Sequence, residues 1–129
     1  GKNIAPHPIE LAIIGKPYID QACLIGDARK YICALVVPDY QELRRYCKHN
    51  GIPEISNAEL IAHEKIKALL QKQIDEVNET LPRYEQIKYY RLMENPFSIE
   101  SGELTPTLKL KRRIVLEKYK SEIESMYQG

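Results

Sequence analysis

Apolar positions follow two different periods along this chain, and their succession predicts a mixed α+β domain. Residues 31–37 are β-branched and almost continuously apolar, which is typical of a central strand covered on both faces. Residues 21–25 precede them across a turn at residues 26–30, so the two segments predict a hairpin. Residues 86–92 alternate between apolar and polar side chains and predict a third strand.

The first helix is expected just before this hairpin. Pro8 suits the first position of a helix, because a proline has no N–H to leave unpaired there. Gly15 and Pro17 are expected to end the helix. Its predicted inner face consists of Ile9, Ala12 and Ile13.

Two capping boxes predict where the next helices begin. Asp39 with Glu42 opens one helix, and Ser56 with Glu59 opens a longer one that Pro82 ends. Apolar side chains recur in both at helical spacing. The predicted inner positions are Leu43, Tyr46 and Cys47 in the former and Ile66, Leu69, Leu70, Ile74 and Val77 in the latter.

The C-terminal part is expected to be a loop followed by a helix. Residues 95–107 are rich in Pro, Ser, Gly and Thr, and a helix is predicted over residues 111–127. Its inner positions are Val115, Tyr119, Ile123 and Met126. The expected fold is a small two-layer α+β domain, in which a short three-stranded sheet carries packed helices.

Length and charge restrict the function classes. The 129 residues, 43% hydrophobic, fit one domain with a single core. The chain starts with Gly1 rather than Met, so we expect a fragment of a longer protein. Nineteen basic and 18 acidic side chains leave a charge of +1, so no global field favours nucleic acid or an anionic membrane. No stretch has the length of a membrane span, and the first residues lack the basic-then-apolar pattern of a signal peptide.

The cysteines and histidines predict no disulfide and no metal site. The odd number of cysteines, three, favours buried thiols in a reducing compartment, and we expect the cytoplasm. The histidines have no ligand spacing among themselves or with the cysteines. The residues concerned are Cys23, Cys33, Cys47, His7, His49 and His63.

Residues 103–113 are the first candidate for chemistry. Four cations lie within five positions, where the loop is expected to become a helix: Lys109, Lys111, Arg112 and Arg113. Cations are unfavourable at a helix N-terminus, and local rules are often broken at functional sites. The hydroxyls of Thr105 and Thr107 flank Pro106, and such a loop can hold an ammonium against a phosphate or carboxylate. A solvated basic stripe and a nucleic-acid patch are the alternative interpretations.

Residues 1–10 are the second candidate. Gly1, Lys2 and Asn3 form a loop with exposed amides before a helix that a proline starts, which can accept an anionic or carbonyl-rich ligand. An ordinary helix lead-in explains the same residues.

Both candidates resemble one family. Residues 1–10, Gly-Lys-Asn-Ile-Ala-Pro-His-Pro-Ile-Glu, resemble the segment after the interdomain hinge of adenylate-forming enzymes. Residues 104–113, Leu-Thr-Pro-Thr-Leu-Lys-Leu-Lys-Arg-Arg, resemble the catalytic-lysine segment of their long-chain fatty-acid–CoA ligase branch. The similarity continues between them at residues 17–22, 25–31 and 34–39, and after them to residue 127. It covers essentially the whole chain.

The resemblance implies that this chain is the C-terminal lid of an ATP-dependent, AMP-forming ligase. Such a lid helps to join a fatty acid to AMP and then rotates to help form the channel for CoA. Lys109 is the implied catalytic residue, counted back from the Arg112-Arg113 pair, and Lys111 is the alternative. Gly1, Lys2 and Asn3 are assigned to the CoA channel, and Lys111, Arg112 and Arg113 to phosphate contacts.

The resemblance also implies partners. The large N-terminal adenylation domain is absent from this chain, so we expect no ligase activity from the chain alone. ATP and CoA are co-substrates of the parent enzyme and Mg²⁺ accompanies ATP, but none is expected to bind this domain alone. The alternatives are the lid of a fatty acyl-AMP ligase that serves an acyl carrier protein, and a non-catalytic interaction module with the same fold. Many family members have Ser-Gly before the lysine, where Thr107 and Leu108 stand here.

Overall fold

A computed structural model describes residues 4–128, and its centre is a three-stranded sheet in the order β1-β2-β3. The strands are β1 (Ile19–Ile25), β2 (Ile32–Pro38) and β3 (Ile87–Leu92). β1 pairs antiparallel with β2, as the predicted hairpin requires, and β3 pairs parallel with β2. A parallel pair needs a long crossover, which here contains the second, third and fourth helices.

The core forms around β2. Every residue of β2 is buried, which confirms the prediction of a central, doubly covered strand. The largest fully buried side chains come from this strand and from the helices packed on the sheet. They include Ile13, Leu35, Leu43, Leu60, Ile66, Leu70, Ile74 and Val115. The α+β class with a three-stranded sheet is confirmed.

The first helix, α1 (Pro6–Ile14), begins two residues before the predicted start. Pro8 is its third residue, where the missing N–H still has no partner within the helix. The buried residues of α1 are Ile9, Glu10 and Ile13. Ala12 was predicted to face inward but is exposed, because the inner face includes a glutamate whose carboxylate has buried partners.

The two predicted capping boxes both mark helix starts. Asp39 caps α2 (Tyr40–His49) by accepting from the Glu42 N–H at 3.1 Å. The Asp39 N–H donates instead to the Tyr18 carbonyl, so this box is half-formed. Ser56 and Glu59 form a complete box at α3 (Asn57–Ala62).

The long helix predicted after Ser56 is two helices. His63 is extended, and its ring accepts from the Lys65 N–H at 3.1 Å, so it caps a new helix, α4 (Glu64–Glu79). The predicted inner positions of α4 are buried, except that Leu69 is half-buried. A short 3₁₀ turn, Arg83–Glu85, then leads to β3.

The last helix is also interrupted. Instead of one helix over residues 111–127, the chain forms α5 (Arg112–Lys118) and α6 (Lys120–Ser125). Tyr119 leaves the helical region with φ −107° and ψ 27°, and its ring contacts Phe97 with centroids 6.1 Å apart. Its hydroxyl donates to Glu103, so contacts outside the helix hold Tyr119 at the break.

The buried strand yields a stability prediction. Leu35→Ala leaves a cavity in β2, and we expect the free energy of unfolding to fall by about 2–5 kcal/mol in urea titrations. Leu11→Ala is the matched control, because Leu11 is 50% exposed on α1 and its loss is expected to cost about 0.5 kcal/mol. Equal losses in the two variants would contradict this description of the core.

Candidate functional site

Lys109 lies on a short hairpin that projects between residues 103 and 111, which we call the lysine hairpin. Leu104 and Leu110 form an antiparallel bridge at its base. The Thr105 N–H donates to the Lys109 carbonyl at 2.8 Å, and the Lys109 N–H donates to the Thr105 Oγ1 at 3.0 Å. Thr105 therefore holds the Lys109 backbone from both sides.

A tight turn forms the tip of the lysine hairpin. The Leu108 N–H donates to the Thr105 carbonyl at 2.8 Å, and Pro106 has the fixed φ that suits the second position of such a turn. Leu108 then adopts φ 67°. A turn followed by one left-handed residue is a common three-residue hairpin connection, and glycine is the residue that adopts it without strain.

Among the described residues the Lys109 ammonium has no acidic partner, and it faces solvent. Lys109 is exposed, and within residues 4–128 its side chain has no ion pair or hydrogen bond. Lys111 and Arg113 are exposed beside it. A charge without a partner at the end of an ordered hairpin is available to an anionic ligand.

Glu103 anchors the strand that enters the lysine hairpin. Its side chain is 1% exposed and accepts hydrogen bonds from four donors. The donors are the Ser98 N–H, the Ser101 hydroxyl, the Tyr119 hydroxyl and the Lys118 ammonium, the last at 3.1 Å. Its own carbonyl accepts from the Lys111 N–H at 2.8 Å.

These donors determine the charge state of Glu103. Burial alone would raise the pKa of the carboxyl, but the hydrogen bonds from Ser101, Tyr119, Lys118 and Ser98 together hold its pKa below the ordinary value. Four donors favour the carboxylate form. The base of the hairpin is therefore held by an ionised group.

Arg112 anchors the strand that leaves the hairpin. Its guanidinium forms a two-pronged ion pair with Glu10, with Nη1 to Oε2 at 2.6 Å and Nη2 to Oε1 at 2.8 Å. Both charges are thus engaged within the domain. The phosphate contact of Arg112 stays a prediction; both terminal nitrogens of its guanidinium already have partners, whereas within residues 4–128 the charges of Lys111 and Arg113 have none.

Gln21 fixes the loop before the hairpin. Its side-chain amide donates to the Phe97 carbonyl at 3.0 Å and accepts from the Phe97 N–H at 2.7 Å, as a neighbouring strand would. Glu10, Gln21 and Glu103 were not predicted from the sequence as supports of the site. The signal for Glu10 was a carboxylate within an otherwise apolar stretch, whereas Glu103 lies in a polar loop that gives no such signal.

Two clefts flank the candidate residues. One, of about 510 Å³, lies between α1 and the lysine hairpin, and its lining includes His7, Leu11, Ile14, Leu108, Lys109 and Arg112. Another, of about 530 Å³, is lined by Ile4 together with Arg29, Lys30 and Lys88. Gly1, Lys2 and Asn3 lie outside the described residues, so their assignment to a CoA channel stays a prediction.

Residues 4–128 contain no cluster of three or more histidine, cysteine or acidic side chains that could hold a metal ion. Cys23, Cys33 and Cys47 are buried free thiols, as predicted. Within the same residues no helix has the length and apolarity needed to cross a membrane.

Comparison with known proteins decides the family. The family described as AMP-binding enzyme C-terminal domain matches residues 1–129. The chain belongs to this family. The match covers the whole chain, in agreement with the resemblance seen in the sequence.

Relatives and solved structures of the family are much longer than this chain. A long-chain-fatty-acid–CoA ligase of Mycobacterium tuberculosis, FadD15, is 33% identical over 98% of this chain and 21% of its own length. Human ACSBG1, also a long-chain-fatty-acid–CoA ligase, is 36% identical over 99% of this chain and 20% of its own. The adenylation domain of the Mycobacterium chelonae carboxylate reductase has a TM-score of 0.77 and 28% identity, over 100% of this chain and 18% of that one. This AMP-binding C-terminal domain spans about a fifth of these relatives.

Leu108 provides a test of the hairpin geometry. At φ 67° a side chain is strained, so we expect Leu108→Gly to be more stable than Leu108→Ala by about 1 kcal/mol. This is the reverse of the order expected in an ordinary backbone conformation. Chemical denaturation of both variants measures the difference, and an alanine variant as stable as the glycine variant would contradict the left-handed conformation.

Glu103 provides a pH prediction. Because its pKa is lowered in the folded state, the stability it contributes is present above its unfolded pKa and is lost as pH falls through the folded value. We therefore expect Glu103→Gln to reduce stability most at neutral pH, and the gap to the parent chain to narrow below a pH of about 4.5. Denaturation curves at pH values from about 3 to about 7 measure the difference in stability between the variant and the parent chain. A difference that widens on acidification would contradict the prediction.

Proposed function

We propose that this chain is the C-terminal lid of an AMP-forming long-chain fatty-acid–CoA ligase and that it supplies Lys109 to the adenylation step. The observation that carries the proposal is an exposed ammonium without an acidic partner among residues 4–128, on a hairpin whose two strands are anchored. Names of the curated relatives support the class of reaction. The large N-terminal domain of the parent chain would be the partner.

The first half-reaction needs a cation of this kind. The fatty-acid carboxylate attacks the α-phosphorus of ATP, so that an acyl–phosphate bond forms and pyrophosphate leaves. Both reactants are anions, and an ammonium between them offsets their repulsion and stabilises charge that develops on the phosphate oxygens. Lysine suits the role because it is a compact charge on a flexible stem. Because the backbone at Lys109 is ordered, less conformational entropy is lost when the ammonium is brought up to the reactants.

The second half-reaction needs the ammonium out of the way. The thiol of CoA attacks the acyl carbonyl and AMP leaves, so the approach of the thiol must be open. We propose that the lid rotates and that Gly1, Lys2 and Asn3 then line the CoA channel. Support comes from the separate clefts, since Ile4 and Lys109 line different ones. Lys111 and Arg113 are proposed as phosphate contacts because they are exposed and close to Lys109 in sequence.

Other ligands and surroundings follow from the same proposal. ATP, CoA and a fatty acid are the small-molecule substrates, and Mg²⁺ would arrive with ATP, since residues 4–128 offer no cluster to hold a metal ion. We propose the cytoplasm as the location, with the parent enzyme free or peripheral at a membrane, and no nucleic-acid partner. A carrier protein as acyl acceptor is the alternative, and it would require the same lysine in the first half-reaction.

The half-reactions of the parent enzyme test the role of Lys109. We expect Lys109→Ala to slow acyl-AMP formation, followed as pyrophosphate release, by about a hundredfold to a thousandfold. Thioester formation from supplied acyl-AMP should be far less affected, because the ammonium has left the site by then.

Lys111→Ala is the matched control, since it removes the same charge two residues further along. Its effect on acyl-AMP formation should be smaller. A larger effect at Lys111 would transfer the catalytic role to it, and equal losses in both half-reactions for Lys109→Ala would contradict the proposal.

A further inference from the structure

Glu10 and Arg112 form a closed ring of hydrogen bonds on the outer edge of β1. β1 has β2 as its only strand neighbour in the described sheet. On its open side the Leu24 N–H donates to Glu10 Oε2 at 2.6 Å, and the Leu24 carbonyl accepts from Arg112 Nη1 at 3.1 Å. The ion pair between Glu10 and Arg112 closes the ring. We call this arrangement the edge clamp.

The edge clamp joins distant parts of the chain. Glu10 and Arg112 are 102 positions apart in sequence, on α1 and at the first residue of α5. The Glu10 side chain is 9% exposed and that of Arg112 is 32% exposed, so the carboxylate depends on the guanidinium for its stabilisation. A guanidinium can serve two acceptors in one plane, whereas a lysine ammonium at position 112 could not reproduce this geometry.

The clamp lies directly beside the lysine hairpin. Arg112 follows Lys111, whose N–H donates to the Glu103 carbonyl at 2.8 Å, and Leu110 pairs with Leu104. The position of the returning strand is thus determined on one side by Glu103 and on the other by Arg112. Glu10 also connects this strand to α1, the helix that follows residues 1–3.

We infer that Glu10 and Arg112 are positioning residues for Lys109: through the edge clamp they fix the returning strand of the lysine hairpin to β1 and α1, so that the ammonium and α1 move as one unit. The catalytic part of this inference rests on the proposed function. The clamp touches no reactant. It acts by limiting where the Lys109 side chain can be delivered, and small misplacements of a reacting group cost much of its effect.

Two measurements on the full-length parent enzyme test the inference. In Glu10→Gln and in Arg112→Lys, we expect amide hydrogen exchange at Thr105 and Lys111 to accelerate by about tenfold or more, since their hydrogen bonds hold the hairpin. We also expect acyl-AMP formation to slow by about ten- to a hundredfold, with a smaller change in thioester formation from supplied acyl-AMP.

Glu124→Gln is the matched control. It breaks another two-pronged arginine–carboxylate pair, Arg29 with Glu124 at 2.7 and 2.9 Å, which lies at α6 and not at the hairpin. Exchange at Thr105 and Lys111 and the rate of acyl-AMP formation should be unchanged by it. If a single clamp variant does not fold, the double variant Glu10→Gln with Arg112→Gln leaves no buried charge unpaired and should give the same two effects.

The outcomes separate the two proposals. Faster exchange with unchanged acyl-AMP formation would support the clamp's structure but overturn its positioning role. Unchanged exchange, or equal loss in both half-reactions, would overturn the inference itself. Absence of any effect in Lys109→Ala would instead reject the proposed function, and the exchange result would still report on the clamp.

Discussion

The architecture of the candidate site depends on how the open edge of β1 is completed. In the part of the chain that the structure describes, β1 has one strand partner, so part of its backbone must be satisfied by other groups. Glu10 and Arg112 supply partners for the backbone of Leu24, and the side-chain amide of Gln21, a residue of β1, pairs with the backbone of Phe97 in the loop. The loop before the lysine hairpin and the helix after it are therefore both attached to the same edge. Together with the contacts of Glu103, these contacts fix the position of the lysine hairpin relative to the sheet.

The charged side chains near the site fall into two groups: those that hold the structure together and those that face solvent. Buried carboxylates at Glu10 and Glu103 each have cationic or hydroxyl partners, and no buried side-chain nitrogen or oxygen within residues 4–128 lacks a hydrogen-bond partner. Lys109, in contrast, has its charge in solvent. The cations close to it in sequence also differ from one another. Arg112 forms an ion pair with Glu10, whereas Lys111 and Arg113 are exposed. A basic cluster that looks uniform in the sequence thus separates into one structural residue and three available ones.

Local sequence rules predicted the elements that depend on local interactions. The apolar run of β2 and the Ser56–Glu59 box were sufficient, because burial on both faces and a reciprocal cap leave direct patterns in the sequence. The breaks at His63 and Tyr119 were missed. His63 caps through its ring, which is an uncommon cap, and Tyr119 is held by Phe97 and Glu103, contacts that no helical period encodes.

The site itself was predicted in part. The position of Lys109 in a loop beside a helix start followed from the sequence, but its supports did not. Glu10 and Arg112 meet across 102 positions, and a pair of that separation has no local signature. Leu108 was noted only as a departure from Ser-Gly. Its φ of 67° indicates that the backbone keeps the conformation glycine favours, although the side chain is leucine.

The central proposal is that the Lys109 ammonium approaches the reactants in one state and leaves them in the next. Chemical labelling of lysines in the full-length parent enzyme, read by mass spectrometry, measures that directly. With ATP and a fatty-acid analogue that cannot be adenylated, labelling of Lys109 should fall while that of Lys120, exposed on α6, stays constant. With an acyl-AMP analogue and CoA, labelling of Lys109 should return. Equal labelling of Lys109 in every state would contradict the account.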